Sequence, residues 1–240
     1  ICDRNFIGCD QLIFIESSKS TDANLKFFNS DGGESGACGN GTRCIAKLIS
    51  NETKNETVIL TTLNGDLKSQ ILENNIVTTE IGNAKIEWNE IPLSEKLDTK
   101  NLNIKIIDVN DKEYFGGTAV NVGNPHVVFF VDKIENFNIE KIGPQVENYN
   151  IFPEKCNVTI AKIVDKNLIK VKVWERGAGL TKACGTAACA TAFAGKLNNL
   201  TENKTDIEFQ TGRLSIFIDD KDSIHMKGPV SKIKEIEIKL

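Results

Sequence analysis

Two runs of small apolar residues at helical spacing stand out from a chain that otherwise reads as short, strand-like stretches. The first follows Cys38-Gly39-Asn40-Gly41-Thr42-Arg43 and carries Cys44, Ile45, Ala46, Leu48 and Ile49. The second follows Cys184-Gly185-Thr186 and carries Ala187, Ala188, Cys189, Ala190, Ala192, Phe193, Ala194 and Leu197. Both patterns predict a buried helix that begins just past the cysteine. In the first half, residues 1–10 read as a turn-like lead. Residues 11–16 and 25–28 read as strands, and residues 29–36 are too glycine-rich and polar to be a regular element. A hairpin is predicted from 57–62 and 66–72 around Asn64-Gly65, with further strands at 76–81 and 85–88. Pro92 and the polar run to Asn103 mark a connection.

The second half repeats this grammar. Residues 104–109, 114–122 and 127–131 read as strands, and 134–149 as a weakly periodic helix interrupted by Gly143-Pro144. A hairpin of 158–164 and 168–174 around Asp165-Lys166-Asn167 ends in Glu175-Arg176-Gly177-Ala178-Gly179, just ahead of the second helix. Another hairpin, 206–210 with 214–218, and strands at 223–227 and 233–240 finish the chain. Many strands with one firm helix per half place the chain in the α+β class, not among doubly wound folds.

Composition narrows the function. At 240 residues the chain is one large domain or two small ones, and the near-duplicate cysteine stretches favour two halves of similar build. A net charge of −4 with interspersed signs offers no basic face for nucleic acid. No apolar run is long enough for a membrane span and no secretory segment is seen, so a soluble cytoplasmic protein is expected. The first residue is Ile, and the numbering is expected to start inside a longer precursor or a trimmed chain. Seven cysteines include no Cys-x-x-Cys pair, and the only histidines are His126 and His225, so neither a disulfide framework nor a metal centre is expected. No dinucleotide or Walker fingerprint is present, leaving nucleotide cofactors without a home.

Cysteine is among the most buried residue types, and Cys44 and Cys189, inside the helical runs, read as core. Cys38 and Cys184 stand in a different setting, each followed by Gly and then Asn or Thr, where backbone N–H groups are free to hold an anion. A thiol at a helix N-terminus is expected to have a lowered pKa. With the halves facing each other, a carboxylate held by both turns would have one thiol on each side of its α-carbon. One thiolate could remove the α-proton and the other thiol return a proton to the opposite face. Core filling remains the competing reading of the pair.

The residues also resemble a known family. Asn29-Ser30-Asp31-Gly32-Gly33-Glu34, followed by Ala37-Cys38-Gly39-Asn40-Gly41-Thr42-Arg43-Cys44, is similar to the first signature of the diaminopimelate epimerase family. Gly123-Asn124-Pro125-His126, Phe152-Pro153 with Asn157-Val158, and Glu175-Arg176-Gly177-Ala178-Gly179 leading to Ala183-Cys184-Gly185-Thr186 resemble its later signatures in order. The resemblance implies two pseudo-symmetric α+β domains, each a mixed sheet wrapped round a central helix. They are expected at 1–84 with 230–240, the C-terminal strand returning to the first domain, and at 85–229. It implies interconversion of LL- and meso-diaminopimelate without pyridoxal phosphate, in lysine and peptidoglycan precursor synthesis, by a homodimer.

Carried over by position, the resemblance makes Cys38 and Cys184 the acid/base pair. Gln11, Asn29, Asn124, Asn157, Glu175 and Arg176 become substrate ligands, and Gly39-Asn40 and Gly185-Thr186 clamp the reacting carboxylate. His126 is a supporting residue and His225 a structural one. A further strand and a Gly-x-Gly-Asn-Asp-like loop are expected ahead of Ile1. Leu180 stands where the family tends to carry a charged residue. The alternatives are an epimerase of another amino acid, of proline or hydroxyproline type, and a catalytically inactive amino-acid-binding protein of the same fold.

Overall fold

The structure, a computed structural model, describes residues 2, 8, 9, 11–29, 32–36 and 38–237. The expected lead at 1–10 lies mostly outside them. The chain forms two compact units, residues 1–80 with 227–240 and residues 81–226.

The first unit holds β1 (Gln11–Glu16), β2 (Ala23–Asn29), β3 (Glu34–Ser35), α1 (Gly39–Thr53), β4 (Thr57–Thr62), β5 (Gly65–Ile71) and the start of β6 (Ile76–Asn83). The sheet order is β1-β2-β4-β5-β6, with β3 also on β2. The β2/β4 pair is parallel, and the other pairs are antiparallel. Parallel neighbours cannot be joined by a tight turn, so α1 serves as the crossover. Its face of Thr42, Arg43, Ala46, Ile49 and Ser50 is buried at the predicted helical spacing. The apolar members pack on Leu25 and Phe27 of β2 and Val58 and Leu60 of β4, where alternate positions turn inward. The helix stops at Lys54, whose left-handed backbone lets its N–H reach the Ser50 carbonyl at 2.8 Å.

Three expectations change in this unit. The polar loop after Asn29 contains a regular element, because β3 folds back on the end of β2, which β4 leaves free by pairing only at Ala23 and Asn24. Gly32 supplies the positive φ of +86° for that turn. The β4/β5 register pairs Thr62 with Gly65, so the hairpin tip is Leu63-Asn64, one residue early. Residues 230–237 carry no regular element; only Val230 is buried there, while Ile233 and Ile236 are exposed, so the apolar spacing has no core to face.

The second unit continues with β7 (Ile104–Ile107), β8 (Glu113–Gly116), β9 (Thr118–Asn121), β10 (Pro125–Phe130), α2 (Ile139–Glu147), β11 (Asn157–Asp165), β12 (Leu168–Glu175), β13 (Gly179–Thr181), α3 (Gly185–Leu197), β14 (Lys204–Phe209), β15 (Gly212–Ile218) and β16 (Ser223–Pro229). The order is β16-β15-β14-β12-β11-β10-β9, with β13 on β12 and a separate β7/β8 hairpin. Here β10/β11 and β12/β14 are parallel, and α2 and α3 are their crossovers. In α3 every residue from Ala187 to Gly195 is buried, as expected of a helix apolar on all sides.

Sequence expectations also shift here. Residues 85–88 form no strand, only a bridge from Lys85 to Asn121, because a turn from Glu87 to Ile91 buries Ile91. The run 114–122 is cut at Gly117, whose φ of +106° sends β8 and β9 to different sheets. Gly143-Pro144 does not interrupt α2. Asn138 caps its first turn through Glu140 N–H and Lys141 N–H, and Ile139, Ile142, Gly143 and Val146 are all buried. This packing offsets the one hydrogen bond that proline removes.

Gly143 is required by a side chain rather than by its backbone. A Cβ at this position would lie 2.3 Å from Trp174 Cγ. Gly143→Ala, which would stabilise an open helix, is expected instead to destabilise by about 1–3 kcal/mol; an unchanged or higher urea midpoint would contradict this packing.

Candidate active site

In the first unit Cys38 is the N-cap of α1, with extended backbone and a half-buried thiol. The Gly41 N–H donates to its Sγ at 3.3 Å, and the Thr42 N–H and hydroxyl donate to its carbonyl at 2.8 and 2.9 Å. Space at Gly41 is tight: a Cβ would stand 2.6 Å from Ile13 Cδ1, the movable end of that side chain, and 3.3 Å from the sulfur, so Ile13 would have to shift. Gly39 is buried, and the Asn40 side-chain oxygen accepts from Arg43 Nη2 at 2.9 Å. Gln11 and Asn29 are register partners on β1 and β2, and Gln11 Nε2 donates to Asn29 Oδ1 at 3.0 Å. Pairing across two strands thus joins two expected ligands separated by eighteen residues of sequence.

The second unit repeats the helix start in a drier setting. Cys184 is the N-cap of α3 and only 5% exposed. Its thiol donates to Glu175 Oε2 at 3.0 Å and lies 3.4 Å from the Thr186 hydroxyl. The expected lowering of its pKa is overturned: burial pushes the thiol well above the ordinary range, and the Glu175 carboxylate adds to the rise. The N-terminal turn of α3 favours the thiolate, but by less than desolvation disfavours it. Cys189 is fully buried in the core of this unit, and Cys44, half-buried, packs against the core of the first, as their helical positions suggest.

Four more expected residues, Asn124, His126, Asn157 and Arg176, cluster at the junction of β10, β11 and β12. His126 is fully buried and faces Asn157 in the β10/β11 register. Its Nε2 lies 2.8 Å from Asn124 Oδ1, an atom that can only accept, so Nε2 carries the proton. Burial first, and then the charge of Arg176, push His126 down to about 3. A histidine held neutral at ordinary pH is not a proton carrier. Asn157, 2% exposed, accepts from the Arg176 N–H at 3.0 Å and donates to the Pro125 carbonyl at 2.8 Å. Both ends of its amide are thus engaged within the fold. Arg176 donates through Nη1 to the Glu154 carbonyl at 2.7 Å. His225 lies 3.4 Å from Asp219 on the far hairpins, and Leu180 is half exposed on β13.

Sequence reasoning passed over Glu147 and Trp174. Glu147 ends α2, is 6% exposed, and accepts from Trp174 Nε1 at 2.7 Å and from the Gly177 N–H at 3.1 Å. The available signal was an acid in the last turn of a predicted helix, where the dipole disfavours it. Among the described residues no group of three or more His, Cys, Asp or Glu side chains could hold a metal ion, and no helix is long and apolar enough to cross a membrane.

One thiol at the N-terminus of a crossover helix in each of two mixed α/β units defines the class: a two-domain, pseudo-symmetric α+β protein with a cysteine at each helix start. Solved structures share this fold. A phenazine biosynthesis protein of the PhzF family from Bacillus anthracis superposes with a TM-score of 0.67 at 16% identity, over 98% of this chain and 86% of that one. A hydroxyproline epimerase from Agrobacterium vitis superposes with a TM-score of 0.63 at 12% identity, over 91% and 71%.

The chain belongs to the diaminopimelate epimerase family, whose model matches residues 1–87 and 118–233. A diaminopimelate epimerase of Pelagibacter ubique (strain HTCC1062) is 65% identical over 240 residues, covering all of this chain and 88% of that protein. One of Acidiphilium cryptum (strain JF-5) is 39% identical over 239 residues, covering 99% and 84%.

The buried histidine makes a pH-dependent contribution whose sign is fixed. Below about pH 6.5 the unfolded chain protonates this group and the folded one does not, so stability falls with acidification toward pH 3. Between about pH 7.5 and pH 5 the loss from His126 is about 2 kcal/mol. Urea unfolding across that range should show a shallower pH dependence in His126→Gln, and parallel curves would contradict the neutral buried state.

Proposed function

We propose that the protein interconverts LL- and meso-diaminopimelate without a cofactor, using Cys38 and Cys184 as the acid/base pair. The observation that carries this reading is 65% identity over the whole chain to a diaminopimelate epimerase, with a cysteine capping the helix start in each unit. One thiolate takes the α-proton and the other thiol gives a proton to the opposite face, which inverts the centre. In the resting form burial and Glu175 keep Cys184 protonated, which suits it to give the proton. After one turnover the proton has moved and the roles are exchanged for the reverse reaction.

An α-proton beside an ionised carboxylate is very weakly acidic, so developing charge has to be met by fixed dipoles. The Gly39-Asn40 and Gly185-Thr186 turns, at the starts of α1 and α3, supply backbone N–H groups for this. Gln11, Asn29, Asn124 and Arg176 read the remaining polar groups of the substrate, Glu175 serves the Cys184 thiol, and Asn157 and His126 hold Arg176 and Asn124. The two units correspond to the two epimerase domains of the family. The reaction belongs to lysine and peptidoglycan precursor synthesis, and a cytoplasmic homodimer is the working form.

Incubation with LL-diaminopimelate in deuterated water should give the meso form carrying deuterium at the α-carbon. Cys38→Ala and Cys184→Ala should each abolish inversion while leaving the fold intact; full epimerisation by either variant would overturn the two-base assignment. Inversion of proline or hydroxyproline in place of diaminopimelate would move the substrate to the other branch of the fold.

Arg176→Lys keeps the charge and loses the planar fork that holds a carboxylate bidentately. Arg176 is exposed in the structure, and a substrate carboxylate seated on it would desolvate the contact, which is then worth about 2–5 kcal/mol; the loss is expected in turnover as well as affinity. The variant should therefore turn over diaminopimelate roughly thirty- to several-thousand-fold less efficiently, measured against a one-headed amino acid of similar length. An unchanged ratio between the two substrates would remove Arg176 from distal recognition.

A further inference from the structure

Glu147 occupies a position that is unfavourable in three respects. It is a carboxylate, it is buried, and it sits at the C-terminal end of α2, where the dipole disfavours negative charge. Lys155 Nζ, the cation found near it, is 4.0 Å away on a half-exposed side chain, and a pair of that kind contributes little. The partners that compensate are two N–H donors, Trp174 Nε1 at 2.7 Å and the Gly177 backbone at 3.1 Å. Hydrogen bonds to an ionised acceptor are about twice as strong as neutral ones.

These two donors bracket Glu175 in sequence, one directly before it and one two residues after. Between them the chain makes a β-turn closed by the Ala178 N–H on the Glu175 carbonyl at 3.1 Å, with Gly177 third in the turn at a φ of +73°. A type II turn needs that left-handed third residue and leaves its two central N–H groups unused. Asn157 takes the N–H of Arg176, and Glu147 takes that of Gly177. The turn is therefore oriented by two buried side chains, and the residue at its start places a carboxylate oxygen 3.0 Å from Cys184 Sγ.

We propose that Glu147 is a positioning residue for the reaction: its two carboxylate oxygens hold Trp174 and Gly177, and thereby keep Glu175 against the Cys184 thiol. This rests on the reading that Cys184 takes part in the reaction. Glutamine is not an adequate substitute, because both groups facing the side chain are donors and an amide would present its NH₂ to one of them. Released from this clamp, the turn moves Glu175 off the thiol and opens the sulfur to water, and both changes ease ionisation of Cys184.

The test compares Glu147→Gln, Glu175→Gln, the double variant and Ile142→Val, a core truncation on the same helix that serves as a stability control. For each, the rate of Cys184 alkylation by iodoacetamide is followed by mass spectrometry near pH 8, beside kcat and KM for LL-diaminopimelate. Glu147→Gln should speed alkylation about tenfold, the equivalent of about one pKa unit, and lower kcat more than it changes KM. The double variant should alkylate no faster than Glu175→Gln, since both changes act through one contact. An alkylation rate equal to that of the unmodified protein, an equal acceleration in Ile142→Val, or additive effects in the double variant would each overturn the proposal. If Glu147→Gln does not fold, Trp174→Phe, which removes one of the two donors, decides in the same way: faster alkylation supports the clamp and an unchanged rate overturns it. Alkylation needs no diaminopimelate, so a wrong substrate would show as absent turnover in the unmodified protein and leave this comparison standing.

Discussion

A thiol that stands at the N-cap position of a helix and is also taken out of water is the constraint on which the proposed chemistry of the second unit depends. The amides at a helix N-terminus favour a nearby anion by about 0.3–1 kcal/mol at the surface and up to about 2 kcal/mol when partly buried. Full burial opposes the anion by as much as 3–5 pKa units, or about 4–7 kcal/mol. Burial wins at Cys184, and the Glu175 carboxylate adds to it. The helix start therefore does not make this cysteine a standing thiolate. It prepares donors for whatever anion arrives, while the thiol keeps its proton until chemistry removes it.

The topology brings the two cysteines to equivalent points. In the first unit the chain leaves β2, enters α1 at Cys38 and returns as β4 parallel to β2; in the second it leaves β12, enters α3 at Cys184 and returns as β14 parallel to β12. The environments then diverge. Cys38 is half-buried with a backbone N–H on its sulfur, and Cys184 is buried against a carboxylate. In the proposed reaction the pair needs one member protonated while the other is not, and unlike surroundings on like frames are a direct way to obtain such a difference.

Around Cys184 the polar side chains form a hierarchy of support. Glu175 touches the sulfur, Asn157 and Glu147 hold the turn that carries Glu175, and Trp174 packs so closely on α2 that Gly143 can bear no side chain. His126, neutral and buried, holds Asn124 by its side-chain oxygen. Asn157, Glu147 and His126 are buried, and each holds a partner that is itself less buried, so the proposed site rests on fixed groups one step further inside.

Much of this protein is legible in its residues alone. Both helices after Cys38 and Cys184, the hairpins at 57–71 and 157–175 and the α+β class follow from local periodicity and turn chemistry, and these are forces that act between near neighbours in sequence. The cysteine pair was visible because each stands where a glycine-bearing loop meets an apolar helix. Tertiary structure decided the rest. It carried α2 through Gly143-Pro144 because the helix packs on Trp174, it turned the chain at Glu87 to bury Ile91 where 85–88 reads as a strand, and it left 233–237 without a strand because no core faces it. It raised the Cys184 pKa where the helix start alone predicted a fall, turned Asn157 inward to hold Arg176, and gave Glu147 a task. Burial and the pairing of polar groups depend on what arrives from distant parts of the chain, and desolvation outweighs the local dipole once it does.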